Sequence, residues 1–448
     1  MKIDFLKTLS NEKDKVMVNN IIASFLIKGA ALLISFFSLP AYIKYFDNQN
    51  VLGVWYTVLS VLTWILSFDF GIGNGLRNNL VAALVRNDKL EIRRYISSAY
   101  FIIGAVVVTI TLVGSIFFKF INWNSIFNIS ETLISASTML FVLKCVFYTI
   151  MLQLFFGLIS SILYALQKSA INNLITLITS ASQFVFILFF KSVDIETNIK
   201  MLSVVFLLCV NLPLIVTTII IFSTSLKGAF PSYKYLNKRI ANGILQLGGM
   251  FFLNQIMYML ITGTNSLLIT KFNVPESVVD YQIYYRLFSL PGMLFMLALT
   301  PLWSAITRAC EERDVAWINK YFKLLHKFVI ILIFLQFIMI PFLQLVINVW
   351  LGDNSITVEI NKSLIFALFG SVFIYQSVLS TFACGIGEIK LQLFFYSVGV
   401  VFKLFFIVIG MSLFNDWIIV VLSDIVILLP YCFFQFIALK RHFSIMKH

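Results

Sequence analysis

Ile96–Phe118 reads ISSAYFIIGAVVVTITLVGSIFF, 23 consecutive residues without one charge. About 20 such residues in a helix cross a bilayer, so this stretch is a membrane span. Eleven further segments are comparably apolar and long enough to span, and together they decide the fold class. The first six spans are Val18–Tyr42, Val51–Gly71, Ile96–Phe118, Leu133–Leu166, Ile171–Phe190 and Leu202–Ser223. The second six are Ile244–Thr270, Val279–Trp303, Phe328–Val349, Leu364–Ile386, Leu391–Leu413 and Trp417–Leu439. Spans 4 and 7 are long enough to tilt or to project beyond the membrane. Composition agrees, since 60% of the 448 residues are hydrophobic and 12% are charged. That charged share is about half of what soluble domains carry. The expected fold is all-α and polytopic, with twelve transmembrane helices in two six-helix lobes around a central cationic cavity.

Charge sets the orientation. Of the 33 Lys and Arg, 23 fall on one face of the membrane if the N-terminus is cytoplasmic, six fall on the other, and four lie within spans. By the positive-inside rule both termini are cytoplasmic. The net charge of +13 is therefore a cytoplasmic skirt, and nucleic-acid binding is not expected. Met1–Val16 is polar and charged with no cleavage site after the first apolar run, so it reads as a cytoplasmic tail. Trp123, Trp350 and Trp417 near the outer face and Trp303 near the inner one fit an interfacial aromatic belt. The five cysteines are scattered without a CxxC spacing, and the three histidines are cytoplasmic or terminal. Neither a disulfide framework, a metal site nor a cofactor is indicated.

The chain repeats itself. Asp88-Lys-Leu-Glu-Ile92-Arg-Arg94-Tyr95 follows span 2, and Asp314-Val-Ala-Trp-Ile318-Asn-Lys320-Tyr321 follows span 8. Pro213 in span 6 and Pro430 in span 12 lie at corresponding places. The expected organisation is a tail at 1–17, an N-lobe at 18–223, a cytoplasmic linker at 224–240, a C-lobe at 241–439 and a tail at 440–448. Six helices per lobe make the repeats parallel, related by an axis along the membrane normal.

Four basic residues lie deep inside apolar runs: Lys28, Lys144, Arg286 and Lys403. A cation near the bilayer centre costs about 2.5–3.5 kcal/mol on insertion scales, so each needs a partner or water. Only two comparable acids are present, Asp69 and Asp424. Lys403 and Asp424 are the best structural pair, because spans 11 and 12 adjoin and both residues fall in the outer half. Pairing and a cargo role remain open for Lys403, while Asp69 has a local capping role or a coupling role. Lys28 and Arg286 have no evident partner and are assigned to a cavity, with Lys144 intermediate. Polar stripes at helical spacing support a hydrated space. They comprise Asn20, Ser24, Lys28, Ala31, Ser35 and Ser38 in span 1, and Asn254, Tyr258, Thr262 and Asn265 in span 7. Span 8 has Gln282, Arg286 and Ser289, span 11 has Gln392, Tyr396, Gly399 and Lys403, and span 4 has the poorer set Ser137, Lys144 and Tyr148. Those on spans 1, 7 and 8 suggest that the space lies between the lobes.

The remaining motif is Asp69-Phe-Gly71-Ile-Gly73-Asn74-Gly75-Leu-Arg77-Asn78-Asn79. It lacks the GxxxxGK[ST] pattern and ends a membrane helix, so it is not a nucleotide loop. Gly71, Gly73 and Gly75 instead favour a helix break, a hinge or close packing. This run resembles the segment that ends the second helix of O-antigen and related polysaccharide flippases. They belong to the multidrug/oligosaccharidyl-lipid/polysaccharide exporter superfamily. The resemblance implies two six-helix bundles rocking between inward- and outward-open states in the bacterial inner membrane. It implies a cargo, an oligosaccharide on undecaprenyl pyrophosphate moved to the periplasmic leaflet. It also implies a monomer that meets membrane lipids, with polymerase and synthesis proteins as neighbours. Lys28 and Arg286 fall where such flippases carry basic lumenal residues. Two alternatives stand beside it: an ion-coupled multidrug exporter, which needs membrane carboxylates, and an oligosaccharide polymerase, which needs a larger outer loop than this chain has.

Overall fold

The computed structural model describes residues 71–126, 130–272, 277–351 and 356–446, with separate stretches between 23 and 59. Most of spans 1 and 2, the tail at 1–17 and Asp69 lie outside the described residues. Among the described residues the regular secondary structure is entirely helical. It forms α1 (Ile72–Val85), α2 (Lys89–Phe117), α3 (Ala136–Phe156), α4 (Leu158–Ala165), α5 (Ser169–Phe189), α6 (Ile195–Ser223) and α7 (Lys238–Thr262). Then follow α8 (Asn265–Phe272), α9 (Ser277–Glu311), α10 (Val315–Ile338), α11 (Leu343–Leu351), α12 (Ile360–Ile386), α13 (Lys390–Phe414) and α14 (Ile418–Ile445).

Ten of these helices or helix pairs are long and apolar enough to cross a membrane, and they match spans 3 to 12. Three spans expected as single helices are divided, span 9 among them, where α10 gives way to α11 through a 3-10 turn at Ile340–Phe342. Span 4 changes from α3 to α4 at Gly157, and span 7 is interrupted at Gly263 and Thr264. The chain forms two compact units, Met1–Gly249 and Met250–His448, and the division falls within α7.

The repeat detected in sequence has a structural basis in how helices stop and restart. α1 ends with Asn87 in the left-handed region, and the amides of Asn87 and Asp88 return to the carbonyls of Leu84 and Ala83. α9 ends the same way, with Arg313 left-handed and Arg313 and Asp314 donating to Cys310 and Ala309. These are Schellman terminations, which satisfy carbonyls that a helix end leaves open. Each is followed at once by an N-cap. The Asp88 carboxylate accepts from the amides of Leu90 and Glu91, and that of Asp314 from Trp317. Two further turns copy the termination, at Gln167–Lys168 and Gly387–Glu388. The motif is thus a compact helical hairpin used twice in each unit.

Segment 224–240 is fixed on the first unit. The amides of Ser232 and Asn237 donate to the hydroxyls of Ser97 and Ser98 on α2, and Arg93 donates to the Tyr235 hydroxyl at 3.0 Å. Two apolar clusters fill that unit, one around Tyr45, Trp55, Val142 and Phe206 and one around Leu76, Ile96, Ile162 and Phe222. In the second unit α12 and α14 are the most enclosed spans, and Tyr284, Phe288 and Phe366 stack between α9 and α12.

Candidate functional site

The four membrane cations fall into two environments. Lys28 and Lys144 are half-buried and Arg286 is exposed. None of the three makes a hydrogen bond or ion pair with a described residue. Lys403 is only 2% exposed, and it meets Asp424 with Nζ 2.8 Å from Oδ1.

That pair is the centre of a closed polar network in the second unit. Lys403 has three N–H groups and three acceptors: Asp424 Oδ1, Asn265 Oδ1 and the Ile261 carbonyl. Asn265 is held in turn by donating to Asp424 Oδ2 at 2.6 Å and to the Tyr281 hydroxyl at 3.2 Å. The interruption of span 7 makes this possible, because a helix end leaves carbonyls without amide partners. There the Leu260 carbonyl takes the Thr264 hydroxyl and the Ile261 carbonyl takes the Lys403 ammonium. One turn before Lys403, Gly399 lets α13 approach. A Cβ there would stand 2.3 Å from Ile427 Cγ2 on α14.

This arrangement corrects part of the expected cavity. Within the second unit the stripe on span 7 is largely enclosed, with Asn254 and Asn265 buried and Tyr258 and Thr262 half-buried. Its residues face those of span 11 within one unit: Asn254 donates to the Ile389 carbonyl, the Tyr258 and Tyr396 rings lie 5.5 Å apart, and Asn265 receives Lys403. The two stripes pack together here, while Gln392 and Tyr396 are also paired with Ser380 and Gln376 on α12, which satisfies most of these groups in a setting that lacks water. Span 8 divides likewise. Ser289 is buried, Gln282 donates to Ser266, and Arg286 alone is exposed. In span 1 the described positions are Lys28, half-buried, Ala31, buried, and Ser38, whose hydroxyl bonds back to Ile34; Asn20, Ser24 and Ser35 lie outside the described residues. In span 4, Ser137 pairs with Ser135 and Tyr148 with Ser115, leaving Lys144 apart.

The glycine run packs helices. Gly71 has φ +66° at the start of α1, a left-handed conformation that suits glycine. A Cβ on Gly75 would stand 2.7 Å from the Ile244 carbonyl of α7, and one on Gly248 would stand 2.8 Å from the Gly71 carbonyl. Two glycines therefore let α1 and α7 touch backbone to backbone. Gly73 is buried and borders a cavity of about 200 Å³ that Gln153, Ser160 and Ser161 also line. Asn74 is half-buried. Arg77 and Asn78 are buried, and the Arg77 guanidinium lies 4.6 Å over the Tyr164 ring. Arg77 is thus part of the packing.

The residues that sequence reading did not connect are Ile261, Asn265 and Tyr281. Two local signals mark the place: Gly263-Thr264 inside an apolar span, and a polar Asn directly after it.

No protein-family model matches the chain. It is 22% identical over 377 residues to a Yersinia pseudotuberculosis protein called "Putative O-antigen export protein", covering 80% of this chain and 81% of that one. Its structure resembles the bent form of the Vibrio cholerae MATE transporter VcmN, with TM-score 0.70, 14% identity and coverage of 96% and 99%. A MOP-superfamily transporter from Pyrococcus furiosus, described as having a binding pocket of reverse polarity, matches with TM-score 0.70, 15% identity and 98% of both chains. The chain is an all-helical, multi-pass membrane protein with the fold of the MOP-superfamily transporters.

Proposed function

We propose that the protein is a flippase that moves an anionic, lipid-linked oligosaccharide across the bacterial inner membrane by alternating access, and that Lys28, Lys144 and Arg286 attract the cargo's phosphate groups. Its termini are cytoplasmic in this reading, it works as a monomer, and polymerase and synthesis proteins are its natural neighbours. The observation that carries the reading is Arg286 on a membrane span, exposed and without a partner among the described residues. Facing hydrocarbon, such a charge costs about 2.5–3.5 kcal/mol. Facing a pyrophosphate, each charge-assisted hydrogen bond contributes about 1.5–3 kcal/mol. Hydroxyl- and amide-bearing side chains in the membrane suit sugars. The likeness to a protein with an O-antigen export name supports the same cargo class.

The multidrug-exporter reading draws support from the MATE neighbours. It needs an available membrane carboxylate; of the two membrane acids Asp424 is already held by Lys403 and Asn265, and Asp69 lies outside the described residues. The reversed-polarity pocket of the Pyrococcus furiosus relative provides precedent for another cargo on this scaffold.

The test is a vesicle assay with purified protein and a fluorescent undecaprenyl-pyrophosphate oligosaccharide, run with and without an imposed potential. A potential negative on the donor side favours outward movement of each negative charge by about 2.3 kcal/mol per 100 mV. The proposal predicts faster flipping under that polarity and slower flipping under the reverse. No flipping of this lipid, together with efflux of an organic cation, would transfer the assignment to the exporter.

A further inference from the structure

We infer that the second unit contains a monovalent-cation site whose occupant is the chain's own Lys403 ammonium, held where an exchangeable Na⁺ or K⁺ would otherwise sit. Three oxygens of three kinds converge on Nζ: the Ile261 carbonyl, the Asn265 amide oxygen and the Asp424 carboxylate. This is the donor set of an alkali-cation site. Hard oxygens suit such ions, and carbonyls freed where a membrane helix is interrupted are the usual backbone contribution.

The charge closes as well, one carboxylate balancing one cation. Asn265 is oriented for the task, because its amide group donates to Asp424 Oδ2 and to the Tyr281 hydroxyl, which turns Oδ1 toward Nζ. Such outer contacts fix a coordinating oxygen in place. A buried ammonium needs three acceptors, and the two beyond Asp424 come from the Gly263-Thr264 interruption and from an Asn whose orientation its own donors fix. The Lys403 stem enters along α13, just past the close contact that Gly399 allows with Ile427.

Because the cation is covalently attached, it cannot leave the site to be exchanged. Conformational cycling of this unit is then independent of external sodium and potassium. The inference concerns the fold of the second unit and does not depend on the identity of the cargo.

The experiment measures thermal unfolding of the purified full-length chain at constant ionic strength in NaCl, KCl, methylammonium chloride or choline chloride. The wild type is expected to unfold at one temperature in all four. Lys403→Ala vacates the cage, so it should unfold early in choline and be stabilised saturably by at least one of the three small cations. Lys403→Ala/Asp424→Asn lacks the carboxylate and should respond to none. A sodium- or potassium-dependent shift in the wild type overturns the inference. So does a Lys403→Ala protein that no cation stabilises, or one recovered in none of these salts.

Discussion

Lys403 and Arg286 are both cations on membrane spans of the same unit, yet they live in opposite surroundings. Lys403 is sealed, with every N–H group satisfied by three oxygens. Arg286 is open and has no partner among the described residues. The difference teaches that a charge in an apolar run is not by itself a sign of function. A satisfied charge specifies packing, whereas an unsatisfied one needs water or a ligand.

The largest expected effect comes from breaking the sealed pair. Asp424→Leu leaves a buried ammonium with a neutral neighbour, and a change of this kind costs about 3–5 kcal/mol. Lys403→Met/Asp424→Leu should recover most of that loss, because both charges leave together. Thermal unfolding of the single and double variants checks this, and equal instability of the two would assign the damage to packing.

The next effect in size concerns the glycine contact between α1 and α7. Gly75→Ala places a methyl group 2.7 Å from a backbone oxygen, which cannot move as a side chain can. Overpacking of this kind costs about 1–3 kcal/mol. Gly73→Leu fills the small cavity beside Gln153 and should reduce transport more than membrane insertion. Comparing flipping rate with the amount of inserted protein checks that, and an unaffected rate would remove Gly73 from any moving part.

A smaller effect is expected at the repeated hairpin. Asp88→Ala removes the acceptor of two helix-start amides and should cost about 1 kcal/mol. Asp314→Ala should behave alike, since it caps α10 at the matching place. Paired unfolding measurements compare the two units directly, and a marked inequality would mean that the turns share a sequence pattern but not a structural weight.

Much of this molecule was legible before its structure. Apolar runs of membrane length gave the spans, and the recurrence of Asp, Ile, a basic residue and Tyr marked hairpins whose bonds are local. The pair Lys403–Asp424 was readable because neighbouring spans carry it at similar depth. What was not legible depends on contacts between distant residues. The stripe ending at Asn265 looked as suited to water as to burial, and only its partners on α13, more than a hundred residues away, decide the matter. The glycine run likewise finds Gly248 through folding. Arg286 and Lys403 have equally apolar surroundings in sequence, so periodicity alone could not separate them.

Arg286→Glu tests the central claim most directly, with unfolding temperature and lipid-linked oligosaccharide flipping measured on the same preparation. An open side chain contributes little to stability, so unfolding should shift by no more than about 0.5 kcal/mol. Flipping should fall roughly ten- to a hundredfold, the loss of about 1.5–3 kcal/mol of charge-assisted contact, with Arg286→Lys retaining part of it. Wild-type flipping by Arg286→Glu would contradict the account.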